Sequence, residues 1–171
     1  MFPEANTYPP YYTNYFKLVE EKNLIKALES DLTQSTQFIS SLPNNKIDFA
    51  YEKNKWTIKQ VLQHIIDCER ILTYRALHIA RKDKHNLQTF NENEYADNTI
   101  NNQLTINDLV NDFNNCRNNT ISLFKSFTNL NLIEMSTINT NNVTPLSIGY
   151  FICGHTKHHL NILKKRYLLQ P

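Results

Sequence analysis

WTIKQVLQHIIDCER, residues 56–70, contains the clearest helix start in this chain of 171 residues. Thr57 and Gln60 have the spacing of a capping box, and Trp56 precedes them as a hydrophobic staple would. Apolar residues then recur at intervals of three, four and seven, which is the periodicity of a helix with one buried face. The members of this stripe are Val61, Ile65, Leu72, Ala76 and Ile79, flanked by Leu62 and Ile66. The pattern predicts a long helix that ends near the charged residues 81–84.

Three further segments carry the same kind of periodicity. Residues 19–42 form one candidate helix, and residues 105–128 form another, which begins at a capping-type threonine. The last candidate runs to about residue 169, with Thr144 as its cap and Pro145 in its first turn. Because no segment alternates convincingly with a period of two, we expect an all-α protein whose four long helices pack as a bundle.

The segments between these helices differ in character. Residues 1–16 are rich in tyrosine and proline, which predicts an extended N-terminal arm docked on the body through its aromatic rings. Residues 82–104 show little periodicity, and a loop of that length in a compact domain is often functional. Residues 136–144 are polar and predict another loop. We expect residues 1–171 to form a single helical bundle domain.

The composition excludes several classes of protein. The only two glycines, Gly149 and Gly154, cannot supply a phosphate-binding loop or the many turns of a β-barrel. A net charge of +2 predicts no nucleic-acid or anionic-membrane partner. The three cysteines lack a CxxC motif, and no leader or membrane-spanning pattern is visible, so we expect buried free thiols in the cytoplasm. Since a helix interior disfavours glycine, placing both glycines in the last helix indicates a demand for space there.

Two histidines of the last helix lie on its apolar stripe. His155 and His159 are four residues apart, so their side chains are neighbours on one helix face and could reach one metal ion. A hydrogen-bonded core histidine is the competing interpretation of each, and a bare HxxxH needs a third ligand. His64, at the edge of the stripe of the second helix, is the best candidate for it. His78 and His85 are expected to be solvated.

The histidine segments resemble those of the DinB/YfiT-like family. KWTIKQVLQHIIDCER, residues 55–70, is similar to the family pattern KWSIKEVLGHLIDTER, and ICGHTKHHLNIL, residues 152–163, is similar to IAGHExHHLNIL. FNENEY, residues 90–95, resembles a loop element of one subgroup. Gln63 is a departure, because related sequences usually have glycine before the histidine.

The resemblance implies a four-helix bundle with a variant up-and-down topology and, frequently, a homodimer. It also implies a metal site formed by His64, His155 and His159, which are the residues that the helical wheel and the search for a third ligand indicated. His158 would then lie beside the ligands or face solvent.

Three imidazole ligands leave a coordination position open, as in catalytic metal sites. Zinc is the expected divalent ion, with nickel, iron and manganese as alternatives. Water at the open position would make the protein a hydrolase, whereas a thiol cosubstrate would make it a thiol S-transferase or a thiol-dependent isomerase. In either case we expect a small-molecule substrate. The alternative is a non-enzymatic, metal-stabilised ligand-binding or interaction module, because no general base or nucleophile stands out.

Several neighbours of the histidines have more than one interpretation. Asp67 or Glu69 could orient a ligand histidine, although neither has a favourable wheel position. Arg75 could bind an anionic substrate, but a surface ion pair is the favoured role. Tyr95 could close over the metal or simply pack. Cys68 could be a fourth ligand, but a core thiol is favoured.

Overall fold

The fold is that of a four-helix bundle with a small hairpin, as seen in a computed structural model that describes residues 1–99, 103–138 and 140–168. The helices are α1 (Tyr12–Phe16), α2 (Leu24–Ser40), α3 (Ile58–Ala80), α4 (Glu92–Asp97), α5 (Ile106–Lys125), α6 (Asn129–Ile133) and α7 (Pro145–Ile162). The strands are β1 (Ser136–Ile138) and β2 (Asn141–Val143). The all-α bundle prediction is therefore confirmed, with α2, α3, α5 and α7 as its four long helices. Among the described residues, no helix is both long enough and apolar enough to pass through a membrane.

The long helices run up, down, down and up. Helices α2 and α3 each pack against both α5 and α7. One apolar cluster joins the first halves of α2 and α7 to the second halves of α3 and α5, and a second cluster joins the opposite halves. Helices α3 and α5 are therefore parallel neighbours, so the connection between them must return along the whole bundle; its described residues are 81–99 and 103–105.

This returning segment is fixed along α3. Near the end of α3, Arg75 Nη2 donates to the Gln88 carbonyl at 2.7 Å, and near its beginning Gln60 Nε2 donates to the Ala96 carbonyl at 3.1 Å. The prediction of a loop over residues 82–104, of which 100–102 lie outside the described residues, missed helix α4. Helix α4 begins where the Asn91 side chain accepts bonds from two backbone amides, a local signal too short to produce periodicity.

The polar stretch over residues 136–144 was predicted as a loop, and this prediction is wrong. Strands β1 and β2 pair antiparallel, with Ser136 opposite Val143 and Ile138 opposite Asn141. The β-branched Val143 is 1% exposed and Ile138 packs against the same apolar cluster, so these side chains hold the hairpin to the bundle. Strands of three residues are too short for a period of two to stand out in the sequence.

The last helix was expected to reach about residue 169. Helix α7 ends at Ile162, and a π-helical turn, Leu163–Leu168, continues it. Residue 169 lies outside the described residues. The N-cap prediction holds, because the Thr144 side chain accepts a bond from the Ser147 amide and Pro145 occupies the first turn.

The N-terminal arm docks through its aromatic rings, as expected, but it contains the short helix α1. The Tyr12 ring stacks on Phe151 of α7 at a centroid distance of 3.9 Å. A Cβ at Gly154 would lie 2.4 Å from the Tyr15 carbonyl oxygen, so the missing side chain allows the backbone of α1 to lie directly on α7. A Cβ at Gly149 would lie 2.8 Å from a methyl group of Leu24. Both glycines thus occupy close helix contacts.

A buried ion cluster separates the two apolar clusters and joins all four long helices. Arg117 of α5 is fully buried, and its Nε and Nη2 donate to both carboxylate oxygens of Glu69 on α3, at 2.7 and 3.0 Å. Its Nη1 donates to Asp31 of α2, and Nη2 also donates to Thr156 Oγ1 of α7 at 3.0 Å. Burial disfavours the charge on Arg117, but Glu69 and Asp31 outweigh this effect and raise its pKa further above its ordinary value.

Candidate metal centre

Three histidines from two helices converge on one point. The Nε2 atom of His155 lies 3.1 Å from Nε2 of His64 and 3.0 Å from Nε2 of His159. One ligand atom from each ring lies within 4.8 Å of the other two, and no second group of three His, Cys, Asp or Glu donors with such spacing is found in the described part of the chain. The structure therefore brings together the three residues predicted as ligands.

The geometry follows from the packing of two helices. His155 and His159 are one turn apart on α7, so their rings extend from the same face. His64 lies on the antiparallel neighbour α3, 91 residues before His155. Because α3 and α7 are packed side by side, the edge of the stripe on α3 faces this turn of α7. The Arg117 cluster holds the same two helices together through Glu69 and Thr156.

The environment keeps the three rings neutral. His64 and His155 are each 7% exposed, and His159 is half-buried. Burial lowers the pKa of His64 to about 4. Burial, and then the proximity of His64 and His158, lowers the pKa of His159 to about 3, and the pKa of His155 is well below its ordinary value for the same reason. At neutral pH each ring therefore has the uncharged form that a metal ion requires.

The donor atoms fit a divalent metal ion. The Nε2 atom of His155 is within hydrogen-bond distance of two other ring nitrogens, yet a neutral imidazole nitrogen either donates one proton or offers one lone pair. No distribution of protons over the three rings gives two good hydrogen bonds at this atom. Nitrogens that bind one zinc ion tetrahedrally at about 2.0–2.1 Å lie about 3.3 Å apart. The two Nε2 distances to His155, 3.1 and 3.0 Å, are close to this value.

Apolar and aromatic side chains enclose the triad. The Trp56 ring lies 4.8 Å from that of His64, and Phe151 stacks on His155 at 5.5 Å. Cys68 Sγ lies against the His64 ring, 3.5 Å from Nδ1 and 3.7 Å from Nε2. Burial, together with nearby carboxylates, raises the pKa of Cys68 to about 12, and its sulfur is not among the converging donors, which favours the core-thiol interpretation. All three cysteines are buried and unpaired, as predicted.

The acidic residues next to His64 in sequence, Asp67 and Glu69, are hydrogen-bonded to residues outside the triad. Glu69 is bound to Arg117, and Asp67 accepts bonds from Gln63 and Arg70. Within the described ranges, neither carboxylate hydrogen-bonds a ring of the triad. The possibility that one of them orients a ligand histidine, which their wheel positions disfavoured, is therefore not supported.

Three other candidate residues have mainly packing roles. The surface ion pair predicted for Arg75 is wrong over the described residues, because the guanidinium donates to the Gln88 carbonyl and lies over the Phe90 ring at 5.9 Å. Tyr95 is 49% exposed and packs edge-on against Phe90 at 5.2 Å. His158 contacts the rings of Tyr15 and His159, each at 5.1 Å, beside the ligands as expected.

The expectation for His78 was wrong, whereas that for His85 was right. His78 is only 5% exposed, because the chain turns back at Lys82, whose φ is 57°, and covers the end of α3. The Asp83 amide donates to the His78 carbonyl at 3.1 Å in this turn. The His85 side chain is 92% exposed and contacts Asp83 Oδ1 at 2.7 Å.

A cavity of about 280 Å³ opens beside the triad and was not anticipated. His159 and Trp56 form part of its wall, together with Lys55 and Arg166. Arg166 is the last residue of a basic run, Lys164, Lys165 and Arg166, near the end of the chain. The sequence does indicate that Arg166 lies near His159, because the two are seven residues apart and seven residues are nearly two turns of a helix.

Comparison with known proteins agrees with this architecture. The sequence profile of the DinB superfamily matches residues 27–163. Among solved structures, the chain is similar to YfiT from Bacillus subtilis, described as a probable metal-dependent hydrolase with an unusual four-helix bundle topology. The two share 12% sequence identity with a TM-score of 0.74, over 96% of this chain and 90% of that one. Comparison with curated protein sequences gives no match.

Proposed function

Because this chain belongs to the DinB superfamily, we propose that it is a metal-dependent enzyme whose three histidines hold a catalytic divalent cation. The observation that carries the proposal is the convergence of three neutral imidazole nitrogens, from His64, His155 and His159, within 4.8 Å. YfiT, a protein of the same fold, is described as a probable metal-dependent hydrolase, and this description supports the same class of reaction. Zinc is the proposed ion, since three nitrogen donors suit it.

In such an enzyme, the side chains of the site would bind the metal and exclude water from it. The three Nε2 atoms would bind the cation, and the Cys68 thiol would pack against the His64 ring. Bound there, the cation would supply Lewis acidity that lowers the pKa of a coordinated water or thiol. Trp56 and Phe151 would exclude bulk water from the rings, which strengthens electrostatic interactions inside the site. The reaction proposed is hydrolysis or thiol transfer on a small molecule.

Metal analysis tests the proposal most directly. Untagged protein should contain one equivalent of a divalent metal by mass spectrometry, whereas His155→Ala and His159→Ala should contain less than about a tenth of that amount. His85→Ala is the matched control, because this histidine is exposed and remote in sequence from the triad. Wild-type protein that lacks metal after growth in metal-replete medium would refute the proposal.

One observation favours a second candidate, a metal-stabilised binding module without catalysis. Asp67 and Glu69, the acidic neighbours of His64 in sequence, are bound to Gln63 and Arg117, so neither is placed as a general base at the triad. Strong thermal stabilisation by metal, with no turnover of hydrolase or thiol-transfer substrates, would favour this module. The expected homodimer and the cytoplasmic location stay predictions.

A further inference from the structure

The cavity beside His159 carries positive charge and no negative charge in its wall. Its lining consists of Tyr51, Asn54, Lys55, Trp56, Val61, Asn93, His159, Ile162, Arg166 and Tyr167. This set contains two side chains that are cationic at neutral pH and no carboxylate. Neither Lys55 nor Arg166 forms a side-chain ion pair with any acidic residue in the described ranges. A ligand of opposite charge would therefore find both cations without an internal competitor.

The guanidinium of Arg166 is held in position before any ligand arrives. Its Nη1 donates to the Tyr51 hydroxyl at 2.8 Å, and the group lies over the Tyr51 ring at 5.4 Å. The Tyr51 ring itself packs edge-on against Tyr167, which is 2% exposed and whose hydroxyl donates to the Trp56 carbonyl at 2.6 Å. This chain of contacts ties Arg166 to the residue that packs on His64. A fixed guanidinium with unused N–H groups is suited to a planar carboxylate, which it can bind through two parallel hydrogen bonds.

The remaining wall sets the size and character of the ligand. Trp56, Val61 and Ile162 provide apolar surface, and Asn54 and Asn93 add neutral polar groups. A volume of about 280 Å³ is at the small end for ligand sites, which suits a metabolite rather than a polymer. The His159 side chain is the part of the wall that belongs to the triad.

We infer that this cavity is the substrate subsite and that it recognises a small molecule carrying a carboxylate, bound by Arg166 and Lys55 while an apolar portion packs against Trp56. The inference rests on the proposed function, because it places the reacting end of this molecule at the triad. The carboxylate itself contacts the two cations and not the metal.

A matched pair of probes tests the subsite. Benzoate and benzamide have similar size and shape, but only benzoate is charged. By calorimetry on metal-replete protein, we expect wild type to bind benzoate about fivefold or more tightly than benzamide. Arg166→Gln should lose this preference and Lys55→Gln should reduce it. Lys165→Gln removes the same charge from the neighbouring exposed position, outside this cavity, and should retain the preference.

Metal content and melting temperature, measured on every variant, separate the two proposals. Benzoate that bound the metal directly would keep its preference in Arg166→Gln, and this result would overturn the subsite. Equal binding of the two probes to a wild type with one metal equivalent would also overturn it. If wild-type protein contains no metal but prefers benzoate, and Arg166→Gln loses this preference, the proposed metal-dependent function is refuted while the carboxylate-binding site is supported. Since Lys55 is exposed, Lys55→Gln remains informative if Arg166→Gln is poorly folded.

Discussion

Replacing Arg117 by methionine should destabilise the protein more than any other single change at the centre of the bundle. Methionine is similar in length but cannot bond the carboxylates of Asp31 and Glu69, which are each 2% exposed. Removing one partner of a buried ion pair costs about 3–5 kcal/mol, because the other charge stays buried and uncompensated. The whole free energy of unfolding of a domain is about 5–15 kcal/mol, so the variant should lose a large share of it.

The loss should depend on pH in a defined direction. Burial raises the pKa of Asp31, and Arg117 partly offsets this rise. Without the guanidinium, the pKa of the carboxyl rises further, so protonation in mild acid neutralises the uncompensated charge. The difference in stability between wild type and Arg117→Met should therefore be smaller at pH 5 than at pH 7. Urea unfolding followed by far-UV circular dichroism measures both differences.

A triple variant provides the control. Exchanging the whole cluster for apolar residues, Asp31→Leu with Glu69→Met and Arg117→Met, should recover most of the lost stability, since no buried charge remains. A loss of less than about 1 kcal/mol in Arg117→Met, or a triple variant no more stable than the single one, would refute this account of the cluster.

The two glycines of α7 and the stability of the metal-free protein in acid can also be tested. Gly154→Ala should destabilise by about 1–3 kcal/mol in urea unfolding, because the new methyl group would collide with the Tyr15 backbone. Gly149→Ala, which gains the same helix propensity, should cost less, because its methyl group would meet side-chain atoms that can move. Equal costs would count against the backbone contact. Burial lowers the pKa of His64 to about 4 and that of His159 to about 3, so on acidification the unfolded chain takes up protons before the folded chain does. The contribution of these two histidines to the stability of the metal-free protein should therefore be complete above about pH 6.5 and decline toward pH 4. His159→Asn should show a shallower decline between pH 7 and pH 5, and a decline as steep as that of wild type would contradict the assignment.

Local patterns in the sequence were sufficient to predict the long helices. The capping box of Thr57 and Gln60 is present as predicted, and the caps at Thr105 and Thr144 mark the starts of α5 and α7. These signals are reliable because a capping side chain and the amides it bonds are only three residues apart. The grouping of His64 with His155 and His159 was also predicted. Helical wheels place His64 at the edge of the apolar stripe of α3 and the other two histidines on the apolar stripe of α7.

What the sequence did not reveal depends on which elements meet in space. A periodic stripe shows which face of a helix is buried, but not which neighbour covers it, so the parallel arrangement of α3 and α5 could not be inferred. Arg117 and Glu69 were indistinguishable from surface charges until their partners on other helices were known. His78 was misjudged for the same reason, because the residues that cover it belong to a turn with positive φ at Lys82.

The up, down, down, up order of the long helices has a consequence for how this chain folds. In a simple bundle, consecutive helices form local hairpins that can assemble one after another. Here the helix pairs that pack side by side are α2 with α5 and α7, and α3 with α5 and α7, and none of them is joined by a short turn. The native contacts between helices therefore have large sequence separations, and the cost of closing long loops must be met before they form. We expect slower, more cooperative folding than in a hairpin-built bundle of equal size, with no stable fragment made of two consecutive helices.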